Sequence, residues 1–317
     1  MDLRQLRYFA AIYEQGGLSR AAEQCSVAVS ALSHHLSNLE ADYRTELFTR
    51  ESRGMFPTAA GERLYVHAKS ILKAVAAAED DLRHARTEIA GEVSVVMAQS
   101  AIKAVGIDLF NRVVDEFPNL RLAIAESLSG STLSYLMSND VDIALAYNPP
   151  GDPSLRSIPL LEEEMVLVGT TPIIGNTDEP ITFSEMVKLP LMLPRHGIVP
   201  KALIDDARLS KRLEGRARFQ IDSLAALGPL LASGSACALT TKLAMQHYIA
   251  EGHVRSRRVI EPELWRMLFM CEKTERPSTF ATEKVRQLIM EVVHSAIVRG
   301  RWEAKFLGAL PQPTLNW

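Results

Sequence analysis

From Gly91 onward the chain alternates short β-type runs with helical patterns, and few architectures accept that order. Residues 93–97 read as a strand, 102–116 as a helix, 120–125 as a strand, 131–138 as a helix and 141–146 as a strand. A βαβαβ order implies a parallel sheet with helices on its faces. Two further strand-like runs, 165–169 and 267–271, bracket a second αβ unit built from residues 191–193, 202–213, 216–220, 224–232, 237–239 and 243–249. The helical pattern at 281–298 then returns to the first lobe. Two α/β lobes joined by two crossing strands make a hinged clamp whose cleft lies between them. The expected limits are 91–164 and 270–305 for lobe I, and 165–269 for lobe II.

In front of this unit, residues 59–89 form one long helical pattern that Thr58 can cap. Its apolar residues Leu64, Ala68, Ile71, Val75, Ala78 and Leu82 recur at alternating steps of four and three, an a/d heptad seam. So narrow a stripe finds no partner within its own segment. The same helix of a second chain would bury it, which predicts a homodimer through a linker helix at 59–90. The alternative is packing against the chain's own later domains.

Nearer the N-terminus stands LSRAAEQCSVAVSALSHHLSNLE, residues 18 to 40. Leu18, Ala21, Ala22 and Cys25 fall on one helical face, and Ala31, Leu32, Leu36 and Leu39 on another. Ser26, Val27 and Ala28 between them allow only a tight bend, with Ser26 a candidate cap for the second helix. Two short helices around such a turn have helix-turn-helix geometry. The outward face of the second offers Ser30, Ser33, His34, Ser37 and Asn38, groups that reach base edges or phosphates in a DNA major groove. An ordinary helical hairpin with a solvated face fits the same spacing. After it, RESRGMFP (residues 50 to 57) reads as a small two-stranded wing with Arg53 at its tip.

The whole chain carries a net charge of −3, with 47% hydrophobic and 23% charged residues, an ordinary soluble composition. The first 58 residues hold six arginines, no lysine and seven acids, without the basic footprint usual for a DNA-binding domain. Specific binding then draws on local placement and on several copies acting together. No apolar run approaches the roughly 18 residues of a membrane span, and MDLRQLRYF lacks a signal peptide's apolar core. The expectation is a cytoplasmic protein without membrane contact. Cys25, Cys237 and Cys271 are scattered, which argues against a disulfide framework or a thiolate metal site. Neither a cofactor nor a metal is expected.

The run MDLRQLRYFAAIYEQGGLSRAAEQCSVAVSALSHHLSNLE, followed by LFTR and PTAAG, resembles the N-terminal domain of LysR-type transcriptional regulators. That resemblance implies an α+β multidomain fold. A winged helix-turn-helix at 1–58 precedes the linker helix and a two-lobed α/β domain like that of periplasmic binding proteins. It implies a sequence-specific regulator whose partners are double-stranded promoter DNA, a small effector and RNA polymerase, assembled as a homotetramer. EFPNLRLAIAE and ASGSACAL are also familiar, while RGMFPTAAG, VGTTP and LPR lean toward the nitrogen-assimilation-control branch. Members of that branch are held to act without a small effector. Carried over by position, the DNA-reading residues are Val29, Ser30, Ser33 and His34, with Asn38 on the same face and Arg53 from the wing. Val29 stands where glutamine is common, His34 where arginine is common, and Arg44 where a helix-ending glycine is usual.

In this family the effector sits between the lobes at the C-terminal ends of the lobe I strands, also the expected place in an open α/β sheet. Here those ends give Ser100, Ser129 and Tyr147, and lobe II contributes Arg195, His196 and Asp222. Serine hydroxyls at helix starts and a bidentate arginine suit a small anion such as an organic acid. The serines and Asp222 also fit as helix caps, and Tyr147 as a hinge closure. Ser100, His196 and Asp222 are types that build a hydrolytic triad. However, Ser100 lies in MAQSA rather than a G-x-S-x-G elbow, and the chain has no phosphate-binding glycine loop, H-E-x-x-H or C-x-x-C. An enzyme is not expected. A two-lobed solute-binding protein is the main rival, and a serine hydrolase the lesser one.

Overall fold

Asp2 accepts from the Gln5 backbone N–H at 2.8 Å, and the Gln5 side chain accepts from the Asp2 N–H at 2.9 Å. This capping box starts α1 (Leu3–Gln15), which Gly16 ends in the left-handed conformation. The structure, a computed structural model, describes residues 1–51, 54–83, 89–127, 131–195, 201–276 and 278–309. The chain divides into two units, Met1–Ala85 and Arg86–Trp317.

In the first unit α1 is followed by α2 (Leu18–Gln24), α3 (Val29–Tyr43), the antiparallel strands β1 (Phe48–Glu51) and β2 (Gly54–Pro57), and α4 (Ala59–Arg83). Leu6, Phe9, Ile12, Ala21, Ala22, Leu32, Leu36 and Leu39 form its core, and those of α2 and α3 lie on the inner faces expected from helical periodicity. Ser26 does not cap α3. It takes a positive φ of 54° inside the turn, and Ala28 occupies the cap position without a side-chain hydrogen bond. Arg44 ends α3 in the left-handed conformation that glycine prefers. Gly54 has a φ of 139°, and a side chain there would meet the Gly16 carbonyl at 2.5 Å, so only glycine lets β2 approach the end of α1. Thr58 accepts from the Gly61 N–H at 3.1 Å and so caps α4. The heptad seam splits. Leu64 and Ala68 pack into the unit's own core, whereas Ile71 is 39% and Leu82 82% exposed.

The second unit opens with β3 (Gly91–Ala98). A helical stretch follows, made of α5 (Gln99–Ala101), a π-turn at Ile102–Gly106 and α6 (Ile107–Glu116). Next come β4 (Leu120–Ser127), α7 (Thr132–Met137), β5 (Ile143–Tyr147) and β6 (Leu155–Glu164). The chain then crosses to lobe II: β7 (Val166–Gly169), α8 (Thr171–Ile174), β8 (Ile181–Thr182), α9 (Phe183–Met186), β9 (Leu191–Leu193), α10 (Lys201–Asp205), α11 (Ala207–Glu214), β10 (Phe219–Gln220), α12 (Leu224–Ala232), β11 (Cys237–Thr240), α13 (Gln246–Ala250) and β12 (Arg255–Ile260). It returns through β13 (Trp265–Lys273), α14 (Phe280–Val298) and β14 (Lys305–Phe306). The lobe I sheet runs β14-β6-β13-β5-β3-β4 and the lobe II sheet β10-β9-β11-β7-β12-β8.

Three differences from the sequence expectation have physical reasons. The helical pattern at 202–213 breaks in two because Asp206 turns its carboxylate onto the Arg208 N–H and caps α11. β13 pairs with β6 over its whole length and with β5 at residues 268–271, so residues 265–269 belong to the lobe I sheet rather than lobe II. β6 and β12 escape a search for apolar runs because LRSIPLLEEE and RSRRVI are rich in charge. Among the described residues no helix is long and apolar enough to cross a membrane.

Candidate nucleic-acid interface and effector cleft

With Leu32, Leu36 and Leu39 turned into the core, helical geometry must send the intervening residues of α3 outward. Val29, Ser30, His34 and Asn38 are exposed, and Ser33 is half-buried. The His34 Nε2 and Asn38 Nδ2 atoms stand 3.2 Å apart, one turn from each other, so the amide fixes the imidazole's position. Arg50 on β1 brings its Nη2 to 3.5 Å from the Ser33 Oγ, which joins the wing to the outward face of α3. Sequence reasoning passed over Arg50 in favour of Arg53, which lies outside the described residues. The alternation Phe48-Thr49-Arg50 is the missed signal: with the register Arg50↔Met55 it puts Arg50 on the same face of the wing as the buried Phe48 and Met55. Glu40 accepts from the Leu47 N–H at 2.8 Å and ties the end of α3 to the wing.

In the second unit β3 pairs in parallel with both β4 and β5, so Ala98, Ser127 and Tyr147 end at one edge of the sheet. Ser100 follows immediately. Ser100 Oγ lies 3.0 Å from the Tyr147 hydroxyl and accepts from Arg266 Nη2 at 3.0 Å. The Tyr147 hydroxyl donates to Glu163 Oε1 at 2.5 Å, and the same oxygen accepts from Arg266 Nε at 2.8 Å. Glu163 Oε2 accepts from the Trp302 indole at 2.9 Å. Since Tyr147 gives its proton to Glu163, the Ser100 hydroxyl must be the donor in the Ser100–Tyr147 bond. Burial pushes the Tyr147 phenol far above its usual range, outweighing the opposing pull of the Arg266 charge, so this donor stays protonated. All five side chains are buried.

Two sequence-predicted cleft residues, Ser100 and Tyr147, are thus brought together, but against the chain's own guanidinium and carboxylate. Ser100 is not a helix cap, and Tyr147 closes onto Glu163 rather than onto an open cavity. Arg195 is exposed, and its backbone N–H donates to Asp222 Oδ1 at 2.8 Å. Asp222 therefore caps the end of β9, while Ser223 caps α12 by accepting from the Ala226 N–H at 3.2 Å. Ser129 and His196 lie outside the described residues, so the Ser100–His196–Asp222 combination has no described base. Among the described residues Ser100's hydrogen-bond partners are Tyr147 and Arg266. Glu163, Arg266 and Trp302 were missed because a run of three glutamates reads as a solvated surface. In a strand, however, the middle one faces the opposite way from its neighbours.

Comparisons with known proteins bear on the family and the fold. The profile of the bacterial regulatory helix-turn-helix protein of the lysR family matches residues 3–62, and that of the LysR substrate binding domain matches residues 86–293. The nitrogen assimilation regulatory protein nac of Escherichia coli strain K12 is 28% identical over 96% of this chain and 99% of its own length. Its namesake in Klebsiella aerogenes is 26% identical over 95% and 98%. A full-length OxyR variant from Pseudomonas aeruginosa superposes with a TM-score of 0.71 at 18% identity, covering 93% of this chain and 95% of its own. Full-length CbnR in complex with its target DNA superposes with a TM-score of 0.61 at 21% identity, covering 93% of this chain and all of its own.

Proposed function

Because this chain belongs to the LysR family of DNA-binding transcriptional regulators, we propose that it grips paired promoter half-sites through α3 and the β1–β2 wing and responds to a small organic acid in the second unit. The observation that carries the first part is the outward face of α3, with Val29, Ser30, Ser33, His34 and Asn38 beside Arg50. Val29 offers a thymine methyl contact, the serines and Asn38 offer hydrogen bonds, and Arg50 and Arg53 are cations for the backbone. Pairing through the uncovered part of α4 makes the dimer, and two dimers make a tetramer that bends the promoter in the cytoplasm and presents itself to RNA polymerase.

Support for the effector reading comes from the charges at the sheet edge. Arg266 stands beside Ser100, and Arg195 projects from the end of β9. An organic acid reaching this edge competes with Glu163 for Arg266. A cavity of about 260 Å³ lies against Glu163 and is lined also by Glu164, Leu243, Gln246, Arg301 and Glu303. Glu163 and Arg266 lie on the strands that leave and re-enter lobe I, so exchanging one carboxylate for another shifts the balance of lobe closure.

Footprinting on the promoter region beside the coding sequence, with and without candidate acids, tests both parts. Paired protected half-sites whose spacing changes with an acid are the expected result. Protection of a single short half-site, or of none, overturns the DNA reading. Thermal shifts with acids that survive Arg195→Ala unchanged overturn the assignment of the cleft.

A further inference from the structure

Lobe II carries two populations of cations. One group is used internally: Arg255 pairs with Asp178, Arg258 holds Glu164 at 2.7 Å and Glu263 at 3.2 Å, and Lys242 holds Glu303 at 2.7 Å. Arg257 donates to three backbone carbonyls, those of Ile174, Glu179 and Pro180, at 2.6 to 3.2 Å. The α11–β10 segment is different. Arg208, Lys211, Arg212, Arg216 and Arg218 are all exposed, and among the described residues none has a carboxylate within ion-pair distance. Arg212 donates to the Ser184 hydroxyl at 3.3 Å, and Arg218 lies 5.3 Å from the Phe219 ring. The one acid in the segment, Glu214, accepts from Ser210 instead.

The segment is built to present these cations. Leu209 and Leu213 anchor α11 on the lobe II core, and Arg208, Lys211 and Arg212 fall three and four positions apart on the opposite face. Arg216 and Arg218 continue the strip in the loop that leads to β10, the edge strand of its sheet. Residues 208–218 hold five cations against one carboxylate, a local charge of +4 in a chain of −3, so the remainder carries −7.

We infer that the α11–β10 face of lobe II is a second, sequence-independent duplex-binding surface that holds the phosphate backbone of promoter DNA flanking the site read by the head. The inference rests on the DNA-binding reading above. Four of the five cations are arginines, whose forked guanidinium suits phosphate oxygens. Helix positions three and four apart stand about 5–6 Å from each other. A duplex with one charge per about 1.7 Å of axis meets that spacing in any register. The head has six arginines against seven acids, so the phosphate contacts it lacks are supplied elsewhere on the molecule. A duplex already held by the head is present at high effective concentration.

The test uses the full chain and two duplexes, one limited to the protected half-sites and one extended on both sides. The wild type binds the extended duplex more tightly and with a steeper salt dependence. In R208Q/K211Q/R212Q the slope on the extended duplex falls by about 2.7, at about 0.9 per cation, while the short duplex is bound as before. Raising salt from about 50 to 200 mM then weakens the wild type roughly forty-fold more than the variant. R208Q and K211Q alone each remove about one third of the change, and circular dichroism melts confirm that the variants fold. Equal slopes for wild type and variant overturn the inference, as does an equal loss on the short duplex. Unchanged DNA slopes with lost activation in reconstituted transcription would mean that the face docks a protein, and would overturn it too. A wild type that binds neither duplex overturns the DNA reading itself.

Discussion

The Arg266 guanidinium carbon lies 3.7 Å from the centre of the Tyr147 ring, while the Tyr147 hydroxyl reaches past it to Glu163. A cation stacked on an aromatic face and paired with a carboxylate is satisfied in two directions at once. Tyr147 ends β5, Glu163 lies just before the chain leaves lobe I, and Arg266 just after it returns. The outgoing and returning strands are thereby clamped at the hinge, where Met165 also donates its N–H to the Leu264 carbonyl at 2.7 Å.

Removing one partner of this pair should cost far more than an exposed ion pair would. The Arg266 side chain is 9% and the Glu163 side chain 2% exposed, with 2.7 Å between Nη2 and Oε1. Arg266→Met leaves a buried carboxylate without its cation and is expected to lower stability by about 3–5 kcal/mol. The double change Glu163→Gln with Arg266→Met should recover part of the loss. Urea denaturation of the three proteins measures it, and coincident wild-type and Arg266→Met curves would refute the clamp.

Ser33 and Arg50 should fail differently. In the proposed docking Ser33 lies on the base-reading face, whereas Arg50 reaches it from the wing at 3.5 Å. Arg50→Ala is expected to weaken binding to every sequence alike and to reduce the salt slope by about 1. Ser33→Ala should change the order of preference among half-site variants with little change in slope. Titrating a panel of half-site duplexes at several salt concentrations separates the two. A sequence-dependent loss for Arg50→Ala would move it from backbone to base contact.

Much of this architecture was legible because periodicity reports what a core demands. The apolar faces of α2 and α3, the β3–α6–β4–α7–β5 order and the return of α14 all follow from residues that must be buried. The cleft was legible only by position. Ser100 and Tyr147 do meet at the strand ends, but what they meet depends on Glu163 and Arg266, far apart in sequence and both in charged surroundings. A buried carboxylate inside a run of glutamates carries no local mark of its burial. Only the sheet register, which sets β6 against β13, turns it inward. The split of the heptad seam was hidden for a related reason. Leu64 and Ala68 satisfy a two-helix seam and the head's own core equally well.

The thiols should be unequal. Burial pushes Cys237 up to about 12 and also raises Cys271 and Cys25, but Cys25 is only half-buried whereas the other two are buried. Since the thiolate is the reactive form, Cys25 should label first with an aromatic disulfide reagent under native conditions. Cys237 and Cys271 should label only on unfolding. Mass spectrometry of the labelled peptides checks this, and fast native modification of Cys237 would contradict its placement on β11 between β9 and β7.

Alkali should loosen the head before it affects an equivalent protein lacking one hydroxyl. Tyr13 stacks on Tyr65 at 3.8 Å and donates to Glu62 at 2.7 Å. That hydrogen bond, with burial and the Glu62 charge, pushes its phenol from 10.0 up to about 12. The folded state therefore keeps the proton longer than the unfolded state. The stabilisation is complete below pH 10 and is lost as pH rises through about 12. Melting the wild type and Tyr13→Phe across this range should show the steeper fall in the wild type, and parallel profiles would remove Glu62 from the account.

The uncovered part of α4 should decide the oligomeric state. Ile71, Val75, Ala78 and Leu82 continue the seam beyond the point where Leu64 and Ala68 pack on the head. Leu82 is 82% exposed, an apolar side chain this helix leaves in water unless a second copy covers it. Knobs-into-holes packing of two such helices places a carboxylate at Val75 or Leu82 directly in the seam, opposite its own copy. Val75→Glu with Leu82→Glu should therefore halve the assembly's mass in sedimentation equilibrium, while the Leu6, Phe9 and Ile12 core of the head keeps its melting behaviour. Loss of the dimer also removes the second recognition helix, so affinity for a paired site should fall toward that of one half-site. An unchanged mass would put the seam of this regulator elsewhere and leave α4 as a spacer.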